Sequence, residues 1–312
     1  IGRALEEDSD VIVVEPNQGR LSPYYHANDR NLLWDVQNRT RVIQSAVSGK
    51  RFYVELQCEG RFMDMTNTVI DPTRTVHINI TDMGCLNGLL QLEDHHGGCL
   101  LIRNVTVNLH NVRIENCRTS QGMGGGVAVI SDRTDVYYEE EPEDTSLTKF
   151  RLNVFGGQYV DNTAQLGGAI FYCGSPVKRR NMGFRAYNAH FISNQATYGG
   201  AVMATEMAST SIESSIFDAN RAVQSGGAFQ GEGFTHNEFH NCIFTQNEAL
   251  AGTGGALNAK GEQAALWAFG SKFCSNYAKV RGGGMYVENT LNSFLYRPLN
   301  IFSCNEAEDF PQ

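Results

Sequence analysis

Proline is scarce in this chain, at 7 of 312 residues, and there is no Gly-X-Y period. That excludes a collagen-like or polyproline rod. Charge is thin as well: charged residues make up 19% of the chain, below the usual quarter. With 25 basic against 34 acidic residues the net charge is −9, and no Lys/Arg-rich run stands out, which speaks against nucleic acid as a partner. Apolar runs are short. The run from Ala264 to Phe269 is among the longest, far below the length of a membrane-spanning helix. No two cysteines have C-x-x-C spacing, so a zinc ribbon or dithiol redox site is not indicated. Gly-x-Ser-x-Gly, P-loop and His-Glu-x-x-His strings are also missing, and with them the hydrolase, nucleotide-binding and zinc-protease signatures.

What the chain has is glycine, 32 residues of it, together with 41% hydrophobic residues. That is enough apolar side chain for a core, and it excludes disorder. The glycines are ordered in sequence. A Gly-Gly pair followed by a small or apolar residue recurs at Gly97-Gly98, Gly125-Gly126, Gly167-Gly168, Gly199-Gly200, Gly226-Gly227, Gly254-Gly255 and Gly283-Gly284. The second glycines are separated by 28, 42, 32, 27, 28 and 29 residues, a period of about 28 with one insertion around residues 131–148. A second motif, aromatic-x-x-Asn-x-Ala, keeps step with the first. It places Tyr159 with Asn162, Phe191 with Asn194, Phe217 with Asn220, Phe244 with Asn247, Phe273 with Asn276 and Phe302 with Asn305.

Between the motifs lie short alternating runs, such as Ala169 to Cys173 and Asn241 to Phe244, too short and too rich in β-branched and aromatic residues for helices. A repeat of three short strands and three turns predicts one coil of an all-β, right-handed parallel β-helix. Neighbouring coils then pair edge to edge about 4.8 Å apart. Each motif residue stacks on its own copy. Phe191, Phe217, Phe244, Phe273 and Phe302 form an interior aromatic column. Asn162, Asn194, Asn220, Asn247, Asn276 and Asn305 form a ladder at a corner where asparagine tolerates left-handed backbone.

The paired Gly-Gly-Ala-[Ile/Leu/Val] and Phe-x-x-Asn signatures, carried by residues 97–307, resemble the repeats of the chlamydial polymorphic outer membrane proteins. The resemblance implies a right-handed parallel β-helix passenger, exported to a surface and associated with adhesion. The membrane β-barrel that ends those proteins has no counterpart pattern here.

Residues 97–312 thus read as regular coils, and residues 1–96 as degenerate early coils or a cap. Strands are expected at Val11–Val14, Arg51–Leu56 and Val76–Ile80, and a capping helix over Asp29–Val47. The chain opens at Ile1 rather than Met, as a processed chain or part of a longer one would. Eight cysteines and the sequons at Asn38, Asn79 and Asn104 suit a secreted, disulfide-bearing glycoprotein. Alternation in the neighbouring residues turns Asn79 and Thr81, and likewise Asn104 and Thr106, toward solvent. Cys58, Cys85 and Cys117 are separated by 27 and 32 residues, each near one coil, which predicts that Cys85 bonds either Cys58 or Cys117.

The functional expectations follow from this architecture. Clustered aspartates with Gly-His-Gly and Arg-x-Lys, as in pectin hydrolases of this fold, are not found. The densest titratable cluster, Glu93 to His96, adjoins a glycine turn, so it reads as a surface turn. The chain is therefore expected to be non-enzymatic, without metal or cofactor: a rigid extracellular subunit of a fibre or surface appendage. An adhesin that binds surface glycans or a host ligand is the alternative, and a carbohydrate-active enzyme ranks third. The last coil has its Phe302 and Asn305 motif but no following Gly-Gly turn. An open coil edge recruits another chain, so the expected partner is a further copy, stacked head-to-tail.

Overall fold

The computed structural model describes residues 10–16, 24–25, 32–35, 40–56, 60–66, 77–91, 96–130, 151–174, 183–206, 208–261, 264–288 and 299–309. Among these residues there are strands and turns but no helix. Strands stack in sequence order as a parallel β-solenoid, and every strand pairing is parallel.

One coil shows how sequence becomes shape. Ser209–Glu213 alternates Thr210 and Ile212 inward against Ser209, Ser211 and Glu213 outward. Ser214, at φ 50°, turns the corner. Ile216–Asp218 follows, with only Phe217 inward. Ala219, at φ 53°, makes the next corner, and the buried Asn220 leads into Arg221–Ser225. Gly226 and Gly227 reverse the chain into Phe229–Glu232, and a short connection reaches the next coil at His236. Stacking these pieces gives four walls: sheet A from the five-residue strands, sheet B from the three-residue strands, a narrow sheet D, and sheet C. The fourth wall was not expected from the three-strand repeat. It forms because the residues after each ladder asparagine, such as Arg221 and Glu248, pair coil to coil instead of looping freely.

The interior columns are continuous. Ring centroids lie 5.1 Å apart for Tyr159 and Phe191, then 4.7, 4.9, 4.8 and 4.7 Å through Phe217, Phe244, Phe273 and Phe302. Each near-parallel pair adds roughly 0.5–1.5 kcal/mol beyond burial. Beside them runs the asparagine ladder. Asn247 Oδ1 accepts from the backbone N–H of Asn220 at 3.1 Å and from its Nδ2 at 3.0 Å. Asn247 Nδ2 donates to Phe217 O at 3.0 Å and to Asn276 Oδ1 at 2.9 Å. The pattern holds from Asn162 to Asn305, and Cys117 takes the place of the asparagine one coil before Asn162.

Several local expectations are corrected. The ladder asparagines are not themselves left-handed. The residue before each one is, at Asp161, Ser193, Ala219, Gln246, Ser275 and Cys304, which frees the asparagine to point inward. The left-handed glycines are Gly97, Gly124, Gly167, Gly199, Gly226, Gly254 and Gly282, so in two coils the functional pair starts one residue earlier than the Gly-Gly string suggested. The glycine that follows is required by crowding: a Cβ on Gly200 would lie 2.0 Å from Gly227 O of the next coil. Residues 32–35 and 41–45 are strands, not a helix, because their backbones pair with Met63–Thr66 and with Val11–Val14. Thr106 shares the outer face of its strand with Asn108 and His110, as the alternation predicts, but it is covered there at 2% exposure instead of meeting solvent, and Asn104 lies at a left-handed corner before the strand.

Cysteine pairing is corrected too. Cys85 bonds Cys99, with Cα atoms 6.4 Å apart, and neither Cys58 nor Cys117. The local coil is 29 residues long here, so the residue stacked on Cys85 is Ile114, and Cys117 lies three positions out of register. Cys58, Asn38 and the 131–148 insertion lie outside the described residues.

Two substitutions in the columns should act in opposite directions. Asn247→Ala strands several buried donors and acceptors at once, each costing about 1–3 kcal/mol. Chemical denaturation should show a loss of roughly 3 kcal/mol or more. Tyr159 is fully buried and its hydroxyl has no hydrogen-bond partner; burial also pushes its pKa upward. Tyr159→Phe should therefore raise stability by about 1 kcal/mol or more, and a lower denaturation midpoint would contradict this.

Candidate functional site

The walls differ in what they leave open. Sheet C is buried on both faces over much of its length: Ile170 and Tyr172 face inward, yet Phe171 is 3% exposed, and Met203 in the next coil is 2% exposed. The glycine turn closes over this outer side, so that a Cβ on Gly199 would meet Met203 Cβ at 3.1 Å. From Arg113 onward the sheet B strands are three residues long, and they present aliphatic positions such as Val160, Ile192, Ile216 and Ile243 among polar ones. Sheet A is the wide wall, and its outer positions form three vertical columns set by the register.

The middle column begins with amides. Asn108 Nδ2 donates to Asn79 Oδ1 at 2.7 Å, and Asn153 Nδ2 donates to Asn108 Oδ1 at 2.8 Å. It continues through Arg185, Ser211, Glu238 and Trp267. The sequon residue Asn79 is thus an outer-face residue whose Oδ1 belongs to this ladder. The adjacent column runs His110, Phe155, Tyr187, Glu213, His240 and Phe269. His110 stacks on Phe155 with centroids 4.7 Å apart, and His240 on Phe269 at 4.8 Å. Phe155 and Tyr187 are 43% and 51% exposed, large for side chains of their kind on a rigid wall.

The strand His236–His240 concentrates titratable groups. Alternation places His236, Glu238 and His240 on one face. The Glu238 carboxylate meets His236 Nε2 at 2.9 Å and His240 Nε2 at 3.4 Å. The Trp267 ring stands edge-on to His236 at 4.2 Å. Burial alone would raise the Glu238 pKa, but hydrogen bonds and charge from both histidines outweigh it and lower the value. Farther down the wall, burial lowers the pKa of His77 and of His110, the latter partly offset by Asp82. Among the described residues no group of three His, Cys, Asp or Glu has the arrangement to hold a metal ion.

In front of this strand the wall is low. The outer positions at Gly183, Ser209 and Ser211 are small, and a Cβ on Gly183 would find Ser209 O at 3.5 Å as its nearest neighbour. Arg185 and Tyr187 rise on one side of this floor and His236, Glu238 and His240 on the other. Glu213 stands between Tyr187 and His240 in its column and has no ion-pair partner among the described residues.

The cluster expected at a surface turn, Glu93 to His96, is described only at His96. There the ring Nδ1 accepts the Met123 N–H at 3.1 Å, and Arg61 donates to the His96 carbonyl at 2.6 Å. His96 therefore holds a turn in place. Sequence reasoning missed the sheet A group. The alternation of His236, Glu238 and His240 was legible, but its neighbours 27 to 29 residues away depend on the register. No protein-family model, no curated protein and no solved structure matches this chain.

The sign of the Glu238 effect is testable. A carboxylate held below its unfolded pKa stabilises the fold above the unfolded value, and that contribution is lost as pH falls through the folded pKa. On an exposed face it is worth under about 1 kcal/mol. The stability gap between wild type and Glu238→Gln, followed by thermal unfolding, should therefore be present at pH 7 and close in acid. A gap that widens toward pH 3 would contradict it.

Proposed function

We propose that this chain is a rigid extracellular rod that binds ligand along one side, the outer face of sheet A, in the manner of an adhesin. The observation that carries the reading is the combination on that face of exposed Phe155 and Tyr187 with aligned amide, guanidinium, carboxylate and imidazole groups. Aromatic rings offer apolar contact at little entropy cost, and fixed polar groups give orientation. A backbone paired coil to coil holds such groups without prior ordering of loops. The Cys85–Cys99 bond supports an oxidising compartment. The resemblance of the repeats to those of surface-exported proteins points the same way.

A second reading, a head-to-tail fibre subunit, is favoured by one observation. In the last described coil Ile301 and Phe302 are 52% and 41% exposed, whereas Phe273, one coil earlier, is fully buried. A further coil, of this chain or another copy, would cover that ring.

The two readings separate experimentally. Saturable binding of monomer to a printed panel of oligosaccharides and extracellular-matrix proteins is expected. Phe155→Ser with Tyr187→Ser should lose at least tenfold in affinity, while Ile216→Ser on sheet B should not. Sedimentation showing long polymers that Phe302→Asp dissolves, with no binding on the panel, would instead establish the fibre.

A further inference from the structure

We infer that the low floor over Gly183, Ser209 and Ser211 is a subsite for a linear oligosaccharide carrying free amino groups, lying along the rod axis. This rests on the ligand-binding reading of sheet A and names its ligand class.

Shape comes first. The strands Gly183–Tyr187, Ser209–Glu213, His236–His240 and Ala265–Phe269 are consecutive in the sheet. At about 4.8 Å per strand they span roughly 14 Å along the axis. A pyranose unit in an extended chain has nearly the same length as one coil rise, so successive sugars can sit over successive strands. The half-buried Ser209 and Ser211 are short side chains and leave depth for a ring beside the buried Gly183. At either end of the floor stand aromatic groups, Tyr187 on one side and the stacked His240 and Phe269 on the other. Their faces suit the C–H face of a sugar.

Charge selects among sugars. The groups facing the floor are Arg185, Tyr187, Glu213, His236, Glu238 and His240. The two carboxylates outnumber the one guanidinium. Glu238 is already engaged by both histidines, whereas Glu213 has no ion-pair partner among the described residues. It stands in the aromatic column between Tyr187 and His240, where a cation gains both a carboxylate and the faces of nearby rings. A protonated amine on a sugar ring meets that arrangement. A uronic acid would be repelled, and an N-acetyl group would bring no charge. Arg185, one column over, is left to donate to ring hydroxyls.

The test uses the full chain and calorimetric titration with a glucosamine oligomer, its fully N-acetylated counterpart and a galacturonic acid oligomer. The expected result is binding of the glucosamine oligomer at least tenfold tighter than the other two. Glu213→Gln should weaken it about tenfold while leaving the unfolding transition unchanged. Tyr187→Ala should weaken all residual sugar binding. Equal affinity for the amino and N-acetylated oligomers, or an unaffected Glu213→Gln variant, overturns the amino-sugar assignment. If Tyr187→Ala still abolishes neutral-sugar binding in that case, the ligand-binding face stands. If no oligosaccharide binds and the matrix proteins do not either, both readings fall.

Discussion

The buried asparagine ladder is the interaction on which this structure depends. A parallel solenoid can slip, because backbone hydrogen bonds between coils are alike at every register. The ladder removes that freedom. Each Oδ1 accepts from the backbone N–H and the amide of its neighbour, and each Nδ2 also reaches a carbonyl beside the aromatic column. A shift by one residue would leave several buried polar groups without partners in every coil, at about 1–3 kcal/mol each. The aromatic rings add contact area, but stacked rings alone tolerate sliding. It is the stoichiometry of amide donors and acceptors that makes one register the only satisfied one.

With the register held from inside, the outside is free to vary. The connection from sheet C to sheet A spans two residues between Arg103 and Thr106, and twenty between Ile130 and Arg151. Such differences are tolerated because loop closure costs grow slowly with length, and because the ladder re-establishes pairing after every insertion. The outer face of sheet A lies outside the aromatic and asparagine columns, so most of its residues are constrained by solvent more than by packing. That is why rings, amides and carboxylates can gather there without cost to the fold.

The limits of reading this chain show in particular residues. The Asp29–Val47 segment carries Leu32, Leu33, Val36 and Ile43 at spacings that suit a helix face. Its strands nevertheless pair with Met63–Thr66 and Val11–Val14, because coils already stacked offer backbone partners that local propensity does not weigh. Cys85 shows the same limit from another side. Separations of 27 and 32 residues looked like one coil, but the coil at that height is 29 residues long, and a three-residue discrepancy moves a side chain to a different place on the wall. Its partner Cys99 is nearer in sequence and lies across the interior.

The repeat by itself determined the solenoid, its approximate period and the membership of the two interior columns. Those features recur, and each residue in them is contacted by its own copy one coil away, so periodicity is sufficient to find the contact. Only the tertiary structure decided the disulfide partner, the fourth wall, which residue at each corner takes the left-handed conformation, and what stands beside Glu213 and Glu238. None of these repeats faithfully. Coil separations in the ladders range from 26 to 45 residues, and the neighbour of a unique side chain depends on the coil length at that height, which is known only when the backbone pairing is.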